Sequence, residues 1–211
     1  MTIARNTHEI ANFIVQRDPA FAALVRVVGP PPARRNAKVE QRFAHLVRSI
    51  TFQLLATKAA TTIHARVEAL CGREVTPTTI LRVGHVRLRE AGLSNAKAAA
   101  MIDLARRTHE GELRLDRHGR LHDDEILREV VAVRGVGPWT AQMYLMHTLA
   151  RRDVWPVGDF GVRTGWSLVH GHLDTIDARS LNAEGDLFSG ERSAVAWYCW
   201  RAVELDRYRE Q

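Results

Sequence analysis

The chain has 211 residues, 45% of them hydrophobic, and its 30 basic and 24 acidic residues give a formal net charge of +6. This composition is ordinary for a folded protein of one sizeable domain or two small lobes, and no apolar run is long enough to span a membrane. The two cysteines cannot ligate an iron–sulfur cluster and give no disulfide framework. With no signal peptide at the start, this predicts a cytoplasmic protein, and the basic charge favours an anionic partner such as nucleic acid.

Apolar residues recur at three- and four-residue spacings along most of the chain, which predicts an all-helical protein. Gly29-Pro-Pro-Pro32 interrupts this pattern and is the best linker candidate. Thr76 before Pro77, Ser94, and the acidic first turn at Asp123 mark three helix starts. The spacing predicts helices over 8–16, 20–28, 39–55, 57–70, 95–108 and 191–207, and further helices from 77 and from 123.

The predicted helix over 39–55 carries an apolar stripe, which indicates a buried face. Its members are Phe43, Leu46, Val47, Ile50 and Leu54.

The segment Val131–Gln142, Val-Ala-Val-Arg-Gly-Val-Gly-Pro-Trp-Thr-Ala-Gln, puts a glycine turn between two predicted helices. Gly135 and Gly137 have no Cβ, so they can take positive φ and let the backbone approach a ligand closely. Pro138 fits the first turn of the second helix, whose free N–H groups form a site for an anion such as phosphate. A hairpin of this kind grips a nucleic-acid backbone without reading its sequence.

One isolated carboxylate, Asp159, follows in Val154-Trp-Pro-Val-Gly-Asp159. It precedes a helical stretch that begins at Phe160, so it is a candidate N-cap. It is also a candidate for chemistry on whatever the hairpin holds. The two interpretations are compatible, because an aspartate at a helix start can do both.

Together these motifs resemble the helix-hairpin-helix, glycine/proline-rich loop and aspartate signature of the base-excision DNA glycosylases, most nearly the 3-methyladenine DNA glycosylase II group. The resemblance runs from about residue 40 to residue 201. It includes Phe43-x-x-Leu46-x-x-Ser49-Ile50-x-x-Gln53, Thr57-Lys-Ala-Ala60, Ala91-Gly-Leu-Ser-Asn-Ala-Lys97 and Arg192-Ser193…Trp197-Tyr198-x-Trp200-Arg201. The sequence departs from the family at Phe52, where glycine is common, and at Ala56, where serine is common.

The resemblance implies an all-α fold of two helical lobes with a cleft between them, packed as one compact unit over 1–211. Residues 40–153 would form the central lobe with the hairpin, and 1–39 with 154–211 the second lobe. It also implies duplex DNA with damaged bases as the partner, a monomer, and a location with the chromosome of a prokaryote.

The resemblance assigns roles to single residues. Asp159 would be the catalytic carboxylate. The expected base pocket consists of Trp139, Trp200 and Met143. The expected DNA-binding positions are Gly135, Val136, Gly137, Thr140, Gln53, Leu54, Arg192 and Ser193. No cofactor is expected beyond a monovalent cation held by backbone carbonyls of Val131, Val133 and Val136.

Several of these residues have a second interpretation. Leu54 is either a wedge that fills the gap left by a flipped base or a core leucine of its stripe. Trp139 and Trp200 are either pocket walls or core tryptophans. Arg192 either contacts the sugar-phosphate, pairs with a carboxylate, or is a solvated surface arginine.

The expected reaction is hydrolysis that releases an alkylated purine and leaves an abasic site. Such bases carry positive charge, which an aromatic face attracts. A carboxylate stabilises the positive sugar that forms as the glycosidic bond stretches. Bifunctional relatives have lysine where Trp139 stands, and none of the three lysines lies in the hairpin. Two other functions stay open: a non-catalytic DNA-binding protein, and a glycosylase for oxidised or deaminated bases.

Overall fold

A computed structural model describes residues 5–55 and 57–209. These residues form helices and connecting turns with no strand among them, which confirms the predicted all-α class. Ala56, one of the two departures noted above, lies outside the described residues. No helix within the described ranges is long and apolar enough to cross a membrane.

Ten of the eleven α-helices of the described residues lie where the sequence predicts a helix, and the helix Ala178–Glu184 was not predicted. The eleven helices are α1 Thr7–Arg17, α2 Ala22–Val28, α3 Val39–Phe52, α4 Thr57–Leu70, α5 Pro77–Glu90, α6 Asn95–His109, α7 Asp123–Val131, α8 Pro138–Met143, α9 Phe160–His170, α10 Ala178–Glu184 and α11 Arg192–Arg209. Short 3₁₀ segments lie at Pro19–Phe21, Leu115–Arg117 and Gly185–Phe188, and a π-helical turn, Tyr144–Thr148, continues α8.

The chain divides into two compact units. The first consists of Met1–Arg34 and Arg151–Gln211, and the second of Arg35–Ala150. We call them the Asp159 unit and the hairpin unit after the motif that each contains.

Two predicted helix starts in the hairpin unit are confirmed by their caps. The Thr76 hydroxyl accepts a hydrogen bond from the backbone N–H of Thr79 at 3.2 Å, and the Ser94 hydroxyl accepts one from that of Lys97 at 3.2 Å. These contacts satisfy N–H groups that a helix start leaves unpaired. The structure also contains a break that the pattern does not predict, because Gly84 takes φ +74° inside α5.

Helix α3 carries the predicted stripe with one exception. Phe43, Leu46, Val47 and Ile50 are buried, whereas Leu54 is 103% exposed. The prediction of a helix to residue 55 is wrong, because α3 ends at Phe52 and Leu54 takes the left-handed φ of +51°. This turn swings Leu54 off the stripe, so the interpretation of Leu54 as a core leucine is also wrong.

In the Asp159 unit, α9 and α11 pack backbone against backbone. A Cβ at Gly165 of α9 would overlap the carbonyl group of Cys199 in α11. Only glycine permits such a close approach. Beside this contact, Phe21 meets Trp166, Phe188 and Tyr198 edge to face, with ring centroids 5.7–6.3 Å apart.

Gly165→Ala should therefore destabilise the protein. The new methyl group faces main chain, which cannot rotate away as a side chain can, so we expect a loss of about 2–3 kcal/mol. For a chain of this length that lowers the Tm by about 5–10 °C.

Gly158→Ala is the matched control, because no heavy atom in the described part of the chain lies within 4 Å of a Cβ there and the residue is not left-handed. Thermal unfolding followed by circular dichroism measures both variants. Equal melting temperatures for the two would contradict the close α9–α11 contact.

Candidate active site

Asp159 caps α9 and points at α11. Its Oδ1 accepts the backbone N–H of Val162 at 2.8 Å and the indole N–H of Trp200 at 3.0 Å. The N-cap interpretation is therefore confirmed. Since two donors from different helices meet one oxygen, they fix the direction of the carboxylate.

Gly161 makes room for this arrangement. A Cβ there would lie 3.1 Å from Asp159 Oδ1 and 3.1 Å from Trp200 Cδ1, tighter than ordinary van der Waals contact. Neither Gly161 nor Gly165 was among the predicted site residues. The available signal was their four-residue spacing, which puts both glycines on one face of α9.

Trp200, which was predicted to line a base pocket, makes a contact with Asp159 that was not predicted. It is half-buried, and its N–H is already committed to Asp159. A buried indole usually finds such a partner. In the structure, Trp200 is thus the residue through which α11 orients the carboxylate.

Arg192 and Ser193 start α11 and hold it to the segment that leads to Asp159. Arg192 makes two hydrogen bonds of 2.7 Å to Asp153, so it pairs with a carboxylate, one of the roles considered for it. The Ser193 hydroxyl is 5% exposed, accepts the N–H of Val154 at 3.0 Å and donates to the carbonyl of Arg151 at 2.8 Å. Both predicted DNA-binding residues have internal, structural contacts.

In the hairpin, the two glycines differ. Gly135 has φ +71°, and a Cβ there would lie 3.4 Å from the Ala100 Cβ. Gly137 has φ −95° and ψ 175°, extended values that any residue adopts, and a Cβ there would meet no heavy atom within 4 Å. Positive φ is thus used at Gly135 alone. Pro138 occupies the first turn of α8, as predicted.

Gln53 and Thr140, both predicted to bind DNA, are bonded to each other. Gln53 Nε2 donates to Thr140 Oγ1 at 2.8 Å and to the carbonyl of Gly135 at 3.3 Å. Thr140 is only 1% exposed. These contacts tie the residue that follows α3 to the glycine turn and to α8.

His118, which is fully buried, ties the two helices of the hairpin together. Its ring nitrogens lie 2.9 Å from Glu129 Oε2 in α7 and 3.1 Å from the Tyr144 hydroxyl, just beyond α8. Burial lowers the pKa of His118 below its ordinary value, although Glu129 acts in the opposite direction. The helices on either side of the glycine turn therefore share one buried anchor.

The loop of the hairpin is held from α6. Asp103 Oδ2 accepts the backbone N–H of Arg134 at 2.8 Å. Burial would raise the pKa of Asp103, but this bond and those from Arg107 and Arg106 outweigh it, so the pKa is lowered. The carboxylate is thus charged at neutral pH and holds the loop.

The remaining predicted residues lie along the hairpin. Trp139 is half-buried and Met143 is 6% exposed. Val133 and Val136 are buried, and the Val136 N–H closes a turn onto the Val133 carbonyl at 3.1 Å. Of the predicted pocket residues, Trp139 and Met143 therefore belong to the hairpin unit, and Trp200 belongs to the Asp159 unit.

Residues 47–188, which contain the hairpin and Asp159, match the HhH-GPD superfamily of base excision DNA repair proteins. The chain belongs to this family. DNA-3-methyladenine glycosylase 1 of Schizosaccharomyces pombe is 28% identical over 195 residues, which cover 90% of this chain and 85% of the relative.

Two solved structures extend the similarity to the HhH-GPD fold. The S. pombe 3-methyladenine DNA glycosylase in complex with abasic DNA superposes with a TM-score of 0.84, at 26% identity over 91% of this chain and 95% of that one. A DNA-3-methyladenine glycosidase from Bacillus halodurans has a TM-score of 0.77, at 28% identity over 94% and 91% of the two chains.

Gly137→Ala tests the hairpin as the DNA-binding element. The methyl group meets no heavy atom of the described residues within 4 Å, so the melting temperature should not change. It would stand where a phosphate must approach the backbone, and we expect about a tenfold weaker Kd for undamaged duplex, or about 1.4 kcal/mol. Fluorescence anisotropy with a labelled duplex measures this.

Gly135→Ala provides the contrast. It forces alanine into φ +71° and should lower stability by about 1 kcal/mol. A folded Gly137→Ala protein with unchanged affinity would remove Gly137 from the interface.

Proposed function

We propose that this chain is a monofunctional DNA glycosylase. It hydrolyses the N-glycosidic bond of alkylated purines of the 3-methyladenine type in duplex DNA and leaves an abasic site. The observation that carries the proposal is the orientation of Asp159 by Val162 and Trp200 in a chain of the HhH-GPD family. The names of its relatives support the alkylated-base substrate.

Asp159 has the chemistry that bond cleavage requires. As the glycosidic bond stretches, the sugar gains positive charge, and a fixed carboxylate stabilises it without having to reorganise. The same group orients or deprotonates the attacking water. Because the two hydrogen bonds fix Oδ1 before any ligand arrives, little ordering remains for the moment of reaction.

The aromatic residues supply selectivity for charged bases. An alkylated purine such as 3-methyladenine is cationic, and a tryptophan face attracts a cation by about 0.5–2 kcal/mol, depending on desolvation. Trp139 and Trp200 are both half-buried, so each keeps part of its surface accessible. Met143 lies one helical turn beyond Trp139 and is almost fully buried, and we assign it a supporting position.

Leu54 and the hairpin hold the DNA. The target base must leave the stack before it reacts, at a cost of a few kcal/mol. The complete exposure of Leu54 supports its role as the wedge that occupies the vacated space. The Gly135–Gly137 turn and the start of α8 hold the phosphates.

The lysine content supports simple hydrolysis. A lyase needs an amine that attacks the sugar. Trp139 stands at the position of that lysine in bifunctional relatives, and the ammonium group of Lys97 is bonded to backbone carbonyls of residues 51 and 53. The expected product therefore keeps an intact strand until alkali is added, and borohydride should trap no covalent adduct.

Two smaller proposals accompany this function. Backbone carbonyls of Val131, Val133 and Val136 have the hard oxygen donors that suit a monovalent cation, which would bridge the hairpin to a phosphate. The free, buried thiols Cys71 and Cys199 support a reducing cytoplasmic location.

Asp159→Asn tests the function at its centre. Asparagine keeps the volume and can still cap α9, but it removes the negative charge. The variant should fold, bind damaged DNA with comparable affinity, and release the base about 10²–10³ times more slowly. Single-turnover kinetics on methylated duplex, with alkali added to reveal abasic sites, measures the rate.

Asp177→Asn is the matched control. Asp177 also caps a helix, accepting the N–H groups of Arg179 and Ser180, so the same atoms change at an ordinary N-cap. It should excise at the wild-type rate. If Asp159→Asn did so too, Asp159 would be a cap and nothing more.

The wild-type protein decides between the remaining functions. No base release from any damaged duplex would favour the non-catalytic DNA-binding protein. Release of 8-oxoguanine or hypoxanthine in preference to 3-methyladenine and 7-methylguanine would favour a glycosylase for oxidised or deaminated bases.

Trp200→Phe separates the two roles of Trp200. The ring that attracts a cation remains, but the hydrogen bond to Asp159 is lost. We expect a fall in the rate of base release of about tenfold, equivalent to one charge-assisted hydrogen bond, with little change in binding. Single-turnover rates at saturating enzyme give the first quantity and anisotropy the second. Loss of binding at an unchanged rate would assign Trp200 to the pocket alone.

A further inference from the structure

Lys97 makes contacts that the proposed chemistry does not use. It lies in the first turn of α6, and its Nζ donates to the carbonyl of Thr51 at 2.9 Å and to that of Gln53 at 2.6 Å. Both acceptors belong to the end of α3, where helix geometry leaves carbonyls without partners in the helix. A single ammonium group thus caps the C-terminal end of α3.

This position is an unfavourable one for a lysine. The start of α6 carries the positive end of its helix dipole, which repels a cation. Burial also lowers the pKa of Lys97. The end of α3 supplies the compensating interaction, because its carbonyls form the negative end of a dipole and bind cations.

The main chain that Lys97 holds leads directly into the wedge. Leu54 follows Gln53, takes φ +51°, and is completely exposed. A left-handed leucine is disfavoured and persists only where its surroundings enforce it. Lys97 fixes the carbonyl that immediately precedes Leu54, while the Gln53 side chain is fixed to Gly135 and Thr140.

Phe52, the last residue of α3, is held by its side chain. The Arg48 guanidinium lies 4.1 Å from the centroid of the Phe52 ring, and His64 of α4 meets that ring edge to face at 6.3 Å. These contacts fasten the end of α3 by its side chain. Lys97 holds the backbone on either side of Phe52, at the carbonyls of Thr51 and Gln53.

We propose that Lys97 is the positioning residue for the wedge: its ammonium group holds the α3 terminus so that Leu54 projects into the DNA stack. Lys97 touches neither the base nor the sugar and acts through Leu54. The inference rests on the proposed function, in which Leu54 fills the space left by a flipped nucleotide.

The test measures wedge insertion without base release. The probe is a duplex with an abasic site and 2-aminopurine beside it, whose fluorescence rises when stacking is disturbed. Wild-type protein should raise the signal, and Leu54→Ala should not. Lys97→Met keeps the length of the side chain without its donors, and we expect it to lose most of the rise and about tenfold in base release. Lys38→Met removes the same charge at an exposed position and should behave as wild type.

A double-mutant cycle distinguishes positioning from general stability. If Lys97 acts through Leu54, Lys97→Met should change neither fluorescence nor excision in the Leu54→Ala background. Additive losses, or a full signal in Lys97→Met, would overturn the proposal. If Lys97→Met does not fold, Lys97→Gln, which keeps one shorter donor group, enters the same cycle with the same criteria.

Different results would overturn the proposed function and the role of Lys97. Wild-type protein that raises the fluorescence but releases no base from methylated DNA would overturn the proposed function and leave Lys97 as the residue that positions the wedge. Lys97→Met that excises at the wild-type rate would overturn the role of Lys97 and leave the glycosylase intact.

Discussion

The backbone contact between α9 and α11 sets the geometry on which the Asp159 unit depends. Gly165 lets α9 lie directly against the main chain at Cys199. One turn earlier, Gly161 lets the next residue of α11, Trp200, reach Asp159. A carboxylate oriented this way is held by one backbone N–H group of α9 and by the half-buried indole of Trp200 in α11.

The hairpin unit achieves its order by a different means. Its glycine turn has one buried side chain, Val136, between two glycines that have no side chain to pack, so packing gives it little rigidity. Polar contacts hold it instead: His118 joins the flanking helices, Asp103 binds the backbone of the loop, and Gln53 reaches Gly135 and Thr140. Because His118 and Thr140 are buried, the loss of the hydrogen bonds to them would leave buried polar atoms short of partners.

Local patterns in the sequence predict much of this molecule. Helix periodicity gives the all-α class, and the residues Thr76, Ser94 and Asp159 predict their helix starts because a cap acts within four residues of chain. The hairpin motif predicts the turn at Gly135 for the same reason. The family resemblance adds the candidate chemistry.

The features that were missed depend on contacts between distant residues. Leu54 fits the stripe of α3, but the helix stops before it, where Lys97 of α6 binds the carbonyls of Thr51 and Gln53. The hydrogen bond between Trp200 and Asp159 spans 41 positions, and no periodicity within either helix encodes it. Ser193 was predicted to bind DNA from its place in a sequence motif, yet its hydroxyl is buried and bonded to the backbone of Val154 and Arg151.

The exposure of Leu54 has a thermodynamic consequence for DNA binding. Covering a leucine side chain contributes about 1.5–3 kcal/mol, and the free protein forgoes this entirely. Phosphate contacts weaken as counterions are added, whereas burial of a hydrocarbon side chain does not release ions. The affinity of the first encounter with DNA would then fall as the ionic strength rises. The later, wedged state would carry an added contribution that is insensitive to salt and marked by a negative change in heat capacity.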